Sequence, residues 1–339
     1  LEMDDSTDVV EQILSENGDQ FQYAFPASNP SYELIDISEW SPANEEIKIA
    51  AREIFLVLNQ HLKVRFVETD EISGTNLIVI GRSTQKDTSG LSYLPNNTFE
   101  IGSDIFISVD YSSPRFISPN LTNYDYEVLV HEIGHALGLK HPFEPDRNNE
   151  VILSNVEDST VFTAMSYTED ITTFNGTFRD LDWLTLTKFY GVDSTYRSND
   201  DTYSFSEEVG IFIVDGGGLD TIDQHDASDD VYIDLRAGSH SYIGKKSEYI
   251  TSPNQMTISH GTVIENVFSG FGDDQIIGNS TNNFVSTGDG DDLIYAGEGA
   301  DSIDAGLGKN LIDLSEKMNA PDKIKLSYKN NPDDHDIIY

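Results

Sequence analysis

The 339-residue sequence predicts an α+β domain, a mixed twisted sheet plus helices, followed by an all-β parallel roll. Three observations carry that reading. Between residues 41 and 193, amphipathic helix patterns alternate with short apolar strand patterns. Residues 131–141 read H-E-x-x-H-x-x-G-x-x-H. From Ser269 the chain repeats every nine residues around one fixed apolar position, a period of stacked turns rather than of a Gly-Asp linker.

Taken in order, residues 1–40 are acidic, weakly patterned and read as an N-terminal arm, with a short helix at 9–14. A mature arm and the remnant of a prosegment fit equally. The chain begins at Leu1, as a processed or engineered product does, and shows no secretory signal peptide. A helix is expected from Ser41 and Pro42, with Ser41 as cap and Ile47, Ala50, Ala51, Ile54, Phe55 and Leu58 on one apolar face. Residues 64–67, 76–80 and 105–109 read as strands, and a second helix is expected from about Tyr124. Residues 181–191 are amphipathic and end at a glycine stop signal, so they close the first domain. The expected domains are therefore 41–193 and 194–339, behind the arm.

The central motif has a chemical logic. His131 and His135 stand four residues apart on a helix and project from one face. Gly138 lets the chain turn so that His141 supplies a third nitrogen. Three protein ligands leave one position of a tetrahedral Zn²⁺ open to water, the mark of a catalytic site. Glu132 is placed to act as general base on that water.

Downstream, residues 163–167 read Thr-Ala-Met-Ser-Tyr, and Pro142 directly follows the third histidine. With these features the chain resembles the metzincin zinc peptidases, and their serralysin branch in particular. The resemblance implies a metzincin-type catalytic domain acting on protein and peptide substrates. It implies that Tyr167 is a further zinc ligand or hydrogen-bonds the reaction intermediate, and that Met165 forms an apolar floor under the histidines. It places residues 90–93 on an edge strand that aligns an extended substrate.

The second half carries repeats close to G-G-x-G-x-D-x-U-x at 269–277, 278–286, 287–295, 296–304 and 305–313. The eighth positions, Ile276, Val285, Ile294, Ile303 and Ile312, are expected to stack into a core. Gly270, Gly272, Gly288, Gly290, Gly297 and Gly299 permit tight turns with inward carbonyls, and Asp274, Asp292 and Asp301 supply carboxylates. Oxygen ligands in that number suit Ca²⁺. The second repeat is degenerate at Thr281 and Asn283, and the fifth at Lys309 and Asn310, so calcium is expected mainly between the better turns. An earlier Asp-Gly-rich piece at 215–223 and the segment 197–205 are similar to the serralysin domain junction. The resemblance implies one calcium there, held by Arg197 (through its carbonyl), Asn199, Asp201, Asp215, Gly217, Gly218 and Asp220. Asp201 departs from the Thr common in the family.

A formal charge of −40 argues against nucleic acid and anionic membranes as partners. The absence of cysteine excludes disulfides, Cys-based zinc sites and a masking thiol. No apolar run reaches the roughly 18 residues of a membrane-spanning helix, and nothing points to an obligate oligomer, so a monomer is expected. The end, Asp336-Ile337-Ile338-Tyr339, is similar to the uncleaved signal by which serralysins pass a one-step, type I (ABC-type) export machinery. A truncated chain would end the same way. The reading is thus an extracellular, calcium-folded zinc endopeptidase. Two others compete: a calcium-stiffened adhesion module with an inactive peptidase domain, and a zinc hydrolase of non-protein amides.

Overall fold

The computed structural model describes residues 10–12, 14, 18–30, 40–72, 74, 77–85, 88–96, 101–109, 124–145, 150–168, 177–206, 208, 210–314, 321–326 and 336–339. Residues 9, 13 and 76, part of the expected helix and strand, lie outside them. The chain forms two compact units, Leu1–Asp193 and Ser194–Tyr339.

The first unit is built on a six-stranded sheet: β1 (Gln20–Ala24), β2 (Ser41–Pro42), β3 (Arg65–Glu68), β4 (Leu77–Ser83), β5 (Gly90–Ser92) and β6 (Ile105–Ser108). The strand order is β3-β1-β4-β6-β5, with β2 antiparallel to β4. β1 runs parallel to β3 and β4, β4 parallel to β6, and β5 antiparallel to β6 at the sheet edge. Among the described residues the helices α1 (Glu45–His61), α2 (Tyr124–Ala136) and α3 (Asp180–Tyr190) accompany the sheet, and residues 10–12 and 14 are helical as well. One core joins them, with Ile47, Phe55 and Leu58 of α1, Leu129 and Ile133 of α2, and Leu186 and Tyr190 of α3 among its buried members.

Two local expectations change. Ser41 and Pro42 do not begin a helix but pair with β4 as a short edge strand, where a proline without an N–H costs nothing. α1 starts later, because the Asn44 side chain caps it by accepting the Ile47 N–H at 3.0 Å, with Glu45 and Glu46 in the favourable first turn. The six apolar residues expected on its face are all buried. Part of the stretch expected as an arm is a strand inside the sheet. In β1, Phe21 and Tyr23 alternate with Gln20 and Gln22, and Tyr23 stacks on Phe55 at 4.2 Å between centroids.

The second unit consists of two sheets. One has the order Ile337–Ile338, Leu311–Asp313, Leu293–Tyr295, Gln275–Ile277, Val231–Asp234, His240–Ile243, Gln255–Ile258 and Ile211–Ile213. The other has Lys323–Lys325, Ser302–Asp304, Phe284–Ser286, Asn266–Phe268, Thr221–Asp223 and Thr202–Tyr203. Pairing is parallel except at His240–Ile243, which is antiparallel to both neighbours. Successive repeats fall in alternate sheets, so hydrogen-bonded neighbours are 18 residues apart: Ile276 faces Ile294, Ile294 faces Ile312, and Val285 faces Ile303. All five are at most 1% exposed. The tail beyond Asp313, expected to be polar, adds a strand to each sheet at Lys323–Lys325 and Ile337–Ile338.

Candidate active site and cation sites

α2 begins at Tyr124 and carries His131 and His135 one turn apart. After Ala136 the chain turns through Gly138, whose φ of 95° lies in the left-handed region, and brings His141 back beside them. His131 Nδ1–H donates to the Ala164 carbonyl at 2.8 Å and His135 Nδ1–H to the Leu139 carbonyl at 2.8 Å. Burial and the neighbouring imidazoles hold the His131 pKa well below the usual histidine value and push that of His135 down to about 4. Both rings are therefore neutral, with the lone pair on Nε2. The His141 Nε2 stands 3.2 Å from that of His131 and 3.0 Å from that of His135. At most one of these contacts can carry a proton, so lone pairs face each other, an arrangement that a shared cation relieves. Among the described residues these three form the cluster whose ligand atoms all lie within 4.8 Å of one another. The donor set fits Zn²⁺.

The segment below the histidines is held by a buried acid that the sequence reading passed over. Asp182, fully buried on α3, accepts the Thr163 hydroxyl at 2.7 Å, the Ala164 N–H at 2.7 Å and the Arg179 N–H at 2.9 Å. Met165 is buried directly under α2: a Cβ at Gly134 would stand 2.5 Å from its sulfur. Position 134, directly before His135, is therefore glycine for steric reasons. Tyr190 of α3 donates its hydroxyl to the Leu137 carbonyl at 2.9 Å and pins the end of α2.

Glu132 is 6% exposed, and burial raises its pKa to about 8. β5 passes so close that a Cβ at Gly90 would stand 2.5 Å from Glu132 Oε1. The two line a cleft of about 350 Å³ with Tyr124, Val128, His131 and Tyr167. Tyr167 is 64% exposed and stacks on His131 with centroids 5.5 Å apart. Of the motif residues expected to act together, His131, Glu132 and Tyr167 line this cleft beside an edge strand, and His135 and His141 cluster on His131.

In the second unit the expected ligands differ in kind. Asp220 Oδ1 accepts the Asp201 N–H at 2.8 Å, while its buried Oδ2 finds no hydrogen-bond partner among the described residues. Burial, and then the charges of Asp215, Glu265 and Asp201, raise its pKa to about 6. Gly218 packs directly against the Asn199 carbonyl, and Arg197 has a left-handed φ of 47°. Asp215, by contrast, is satisfied by the Gly217 N–H and the Tyr203 hydroxyl.

Along the repeats the carboxylates form two ladders. On one, Asp274 accepts from Val231 N–H at 2.7 Å, Asp292 from Asp274 N–H at 2.9 Å, and Asp336 from Asn310 N–H at 3.0 Å. On the other, Asp301 accepts from Asn283 N–H at 2.8 Å and Asp322 from Asp301 N–H at 2.9 Å. The Oδ2 atoms of Asp292, Asp301, Asp322 and Asp336 are buried with no partner among the described residues. An orphaned buried carboxylate oxygen is costly unless a cation meets it, so these four fit Ca²⁺. Asp274 does not show this feature, since its Oδ2 accepts the Gly270 N–H at 3.2 Å. The repeat glycines stack closely over backbone carbonyls 18 residues back, Gly288 over Gly270 and Gly290 over Gly272, while Gly297 and Gly299 pack on Asn279 and Thr281. Asp322, Asp336 and Glu265 were missed in sequence. Only the D-x-U-x half of the repeat survives in Asp322-Lys-Ile-Lys and Asp336-Ile-Ile-Tyr.

Comparison with known proteins agrees with this geometry. A family model described as "Peptidase M10 serralysin C terminal" matches residues 181–335. The chain is 31% identical over 294 residues to "Serralysin" of Photorhabdus luminescens, covering 78% of this chain and 59% of that one. It is 33% identical over 215 residues to "Serralysin" of Proteus mirabilis, covering 55% and 43%. To "Metallopeptidase AprA" of Pseudomonas marginalis it is 28% identical over 297 residues, covering 78% and 61%. The chain spans about half the length of the curated relatives it matches.

Proposed function

We propose, from its likeness to serralysins, that the chain is a zinc-dependent endopeptidase whose roll is folded and stabilised by calcium. The observation that carries the proposal is the convergence of the His131, His135 and His141 side chains next to Glu132, whose buried carboxyl lines one cleft with His131. Zinc, when held by His131, His135 and His141, acidifies water and polarises a peptide carbonyl. Glu132 takes the proton from the attacking water on its carboxylate and passes it to the leaving amine. Its raised pKa favours that second role, and the value would fall with a dication held by the three histidines, which would open the first role to it. Tyr167, exposed at the rim, is placed to hydrogen-bond the oxyanion or to ligate the metal. The exposed edge of β5 offers backbone groups to an extended peptide.

In this reading the chemistry resides in 41–193 and the calcium sites in 194–339, with Asp322 and Asp336 added to the ligands expected from the repeats. Calcium at the roughly 10⁻⁴–10⁻³ M typical of extracellular modules then couples folding to export and to an extracellular site of action. No described helix is long and apolar enough to cross a membrane. We further propose protein substrates, passage through a type I exporter and a monomeric state.

The test is hydrolysis of denatured casein by wild type and Glu132→Gln in about millimolar calcium, with zinc measured on both. The proposal expects zinc in both proteins and cleavage by wild type alone. Zinc in both with cleavage by neither would overturn the endopeptidase reading and leave the adhesion module and the hydrolase of non-protein amides.

A further inference from the structure

We propose that the seam between residues 279–283 and the chain at 235 and 264–265 holds no cation and is closed instead by the side-chain amides of Asn279 and Asn283, which stand in for calcium. The proposal rests on the calcium reading above and concerns where in the roll that reading stops. Asn283 occupies the sixth repeat position, which Asp292 and Asp301 fill in neighbouring repeats. Those two each leave a buried carboxylate oxygen without a partner among the described residues; Asn283, 2% exposed, leaves none.

The amide groups point donors at the backbone oxygens around them. Asn279 Nδ2 donates to the Ile264 carbonyl at 2.7 Å and the Leu235 carbonyl at 3.3 Å. Asn283 Nδ2 donates to the Glu265 carbonyl at 3.1 Å, the Ile264 carbonyl at 3.4 Å and Asn279 Oδ1 at 3.1 Å. Asn283 Oδ1 accepts the Asn279 N–H at 3.0 Å, and Asn279 Oδ1 accepts the Thr281 N–H at 3.0 Å and its hydroxyl at 2.8 Å. A carbonyl only accepts and a backbone N–H only donates, so these partners fix which end of each amide is nitrogen. Three passes of chain, at 235, 264–265 and 279–283, are tied together with no metal.

A carboxylate at position 283 would bring its oxygen against the Glu265 and Ile264 carbonyls, acceptor on acceptor, and only a cation or a proton reconciles them. Asn283→Asp should therefore convert the seam into a calcium-demanding turn. The full chain is compared as wild type, N283D and N283A, with bound calcium counted by equilibrium dialysis at about millimolar calcium and melting followed in chelator and in calcium. N283D is expected to bind one more ion than wild type, to melt lower in chelator, and to regain the wild-type melting temperature in calcium. N283A, which loses the donor without gaining charge, is expected to gain no ion and to melt lower by the same amount in both conditions. Calcium-binding wild type with an N283D that gains no ion, or whose loss calcium does not reverse, overturns the proposal alone. A wild type that binds no calcium removes the reading beneath it, and the proposal with it.

Discussion

Asp182 reaches His131 through a single residue: its carboxylate accepts the Ala164 N–H at 2.7 Å, and the Ala164 carbonyl accepts Nδ1–H of His131 at 2.8 Å. The acid on the last helix of the first unit thereby fixes the tautomer and tilt of a histidine 51 positions earlier in the chain.

Replacing Asp182 tests that link. Asn offers one acceptor oxygen where three donors converge, and turns an NH₂ toward at least one of them. Leaving a buried donor unpaired costs about 1–3 kcal/mol, and loss of such support weakens metal affinity by roughly 10–100-fold. Asp182→Asn is expected to lower the melting temperature and to surrender zinc to a competing chelator at a correspondingly lower concentration. Wild-type zinc affinity in a folded D182N would show that Ala164 is held by other contacts.

Gly134→Ala drives a methyl group into the Met165 sulfur. Overpacking of this kind costs about 1–3 kcal/mol. Met165→Ala costs about 2–5 kcal/mol alone, through the cavity it leaves, but it removes the atom that the new methyl meets. The double variant should consequently be less destabilised than the sum of the two singles, read by denaturant melts. Strict additivity would mean that the helix shifts rather than clashes.

In calcium-free buffer the roll should be more stable at pH 5 than at pH 8. Burial lifts the folded-state pKa of Asp292 to about 7 and of Asp301 and Asp220 to about 6, above the ordinary value of 3.8. A raised folded pKa means that the native state binds more protons, so stability is complete below pH 4 and is lost as pH rises through 6 to 7. Calcium binds the ionised form and reverses the order. Thermal melts at both pH values, with and without calcium, should cross. Parallel shifts would remove these carboxylates from the calcium sites.

Asp322→Asn and Asp336→Asn keep the oxygen that accepts the backbone N–H of Asp301 or Asn310 and remove the orphaned charge. Each is expected to leave the calcium-free roll at or above wild-type stability, and to shrink the calcium-induced rise in melting temperature by about 5 °C. Asp274→Asn, whose acid is already satisfied by two backbone N–H groups, should change the calcium response less. Equal responses from all three would argue that the orphaned oxygens are not what calcium meets.

By itself, the sequence determined those features in which spacing is geometry. The i, i+4 histidines, the left-handed turn at Gly138, the apolar face of α1 and the buried eighth positions of the repeats all follow from local periodicity, because helix and turn geometry are set within a few residues. It did not determine contacts closed across long loops. The Asp182–Ala164–His131 relay joins segments whose only common property is where the fold puts them. The strand at Gln20–Ala24 alternates in its own sequence, but over only five residues, and its Tyr23 and Phe21 rings stack on Phe55 and Phe66 from distant parts of the chain. Asp322 and Asp336 lack the glycines that mark a repeat, and they become visible only when parallel pairing lays each beside the turn before it. The tertiary structure also separated acids that look alike in sequence, since a carboxylate's demand for a cation depends on whether backbone N–H groups have already satisfied it.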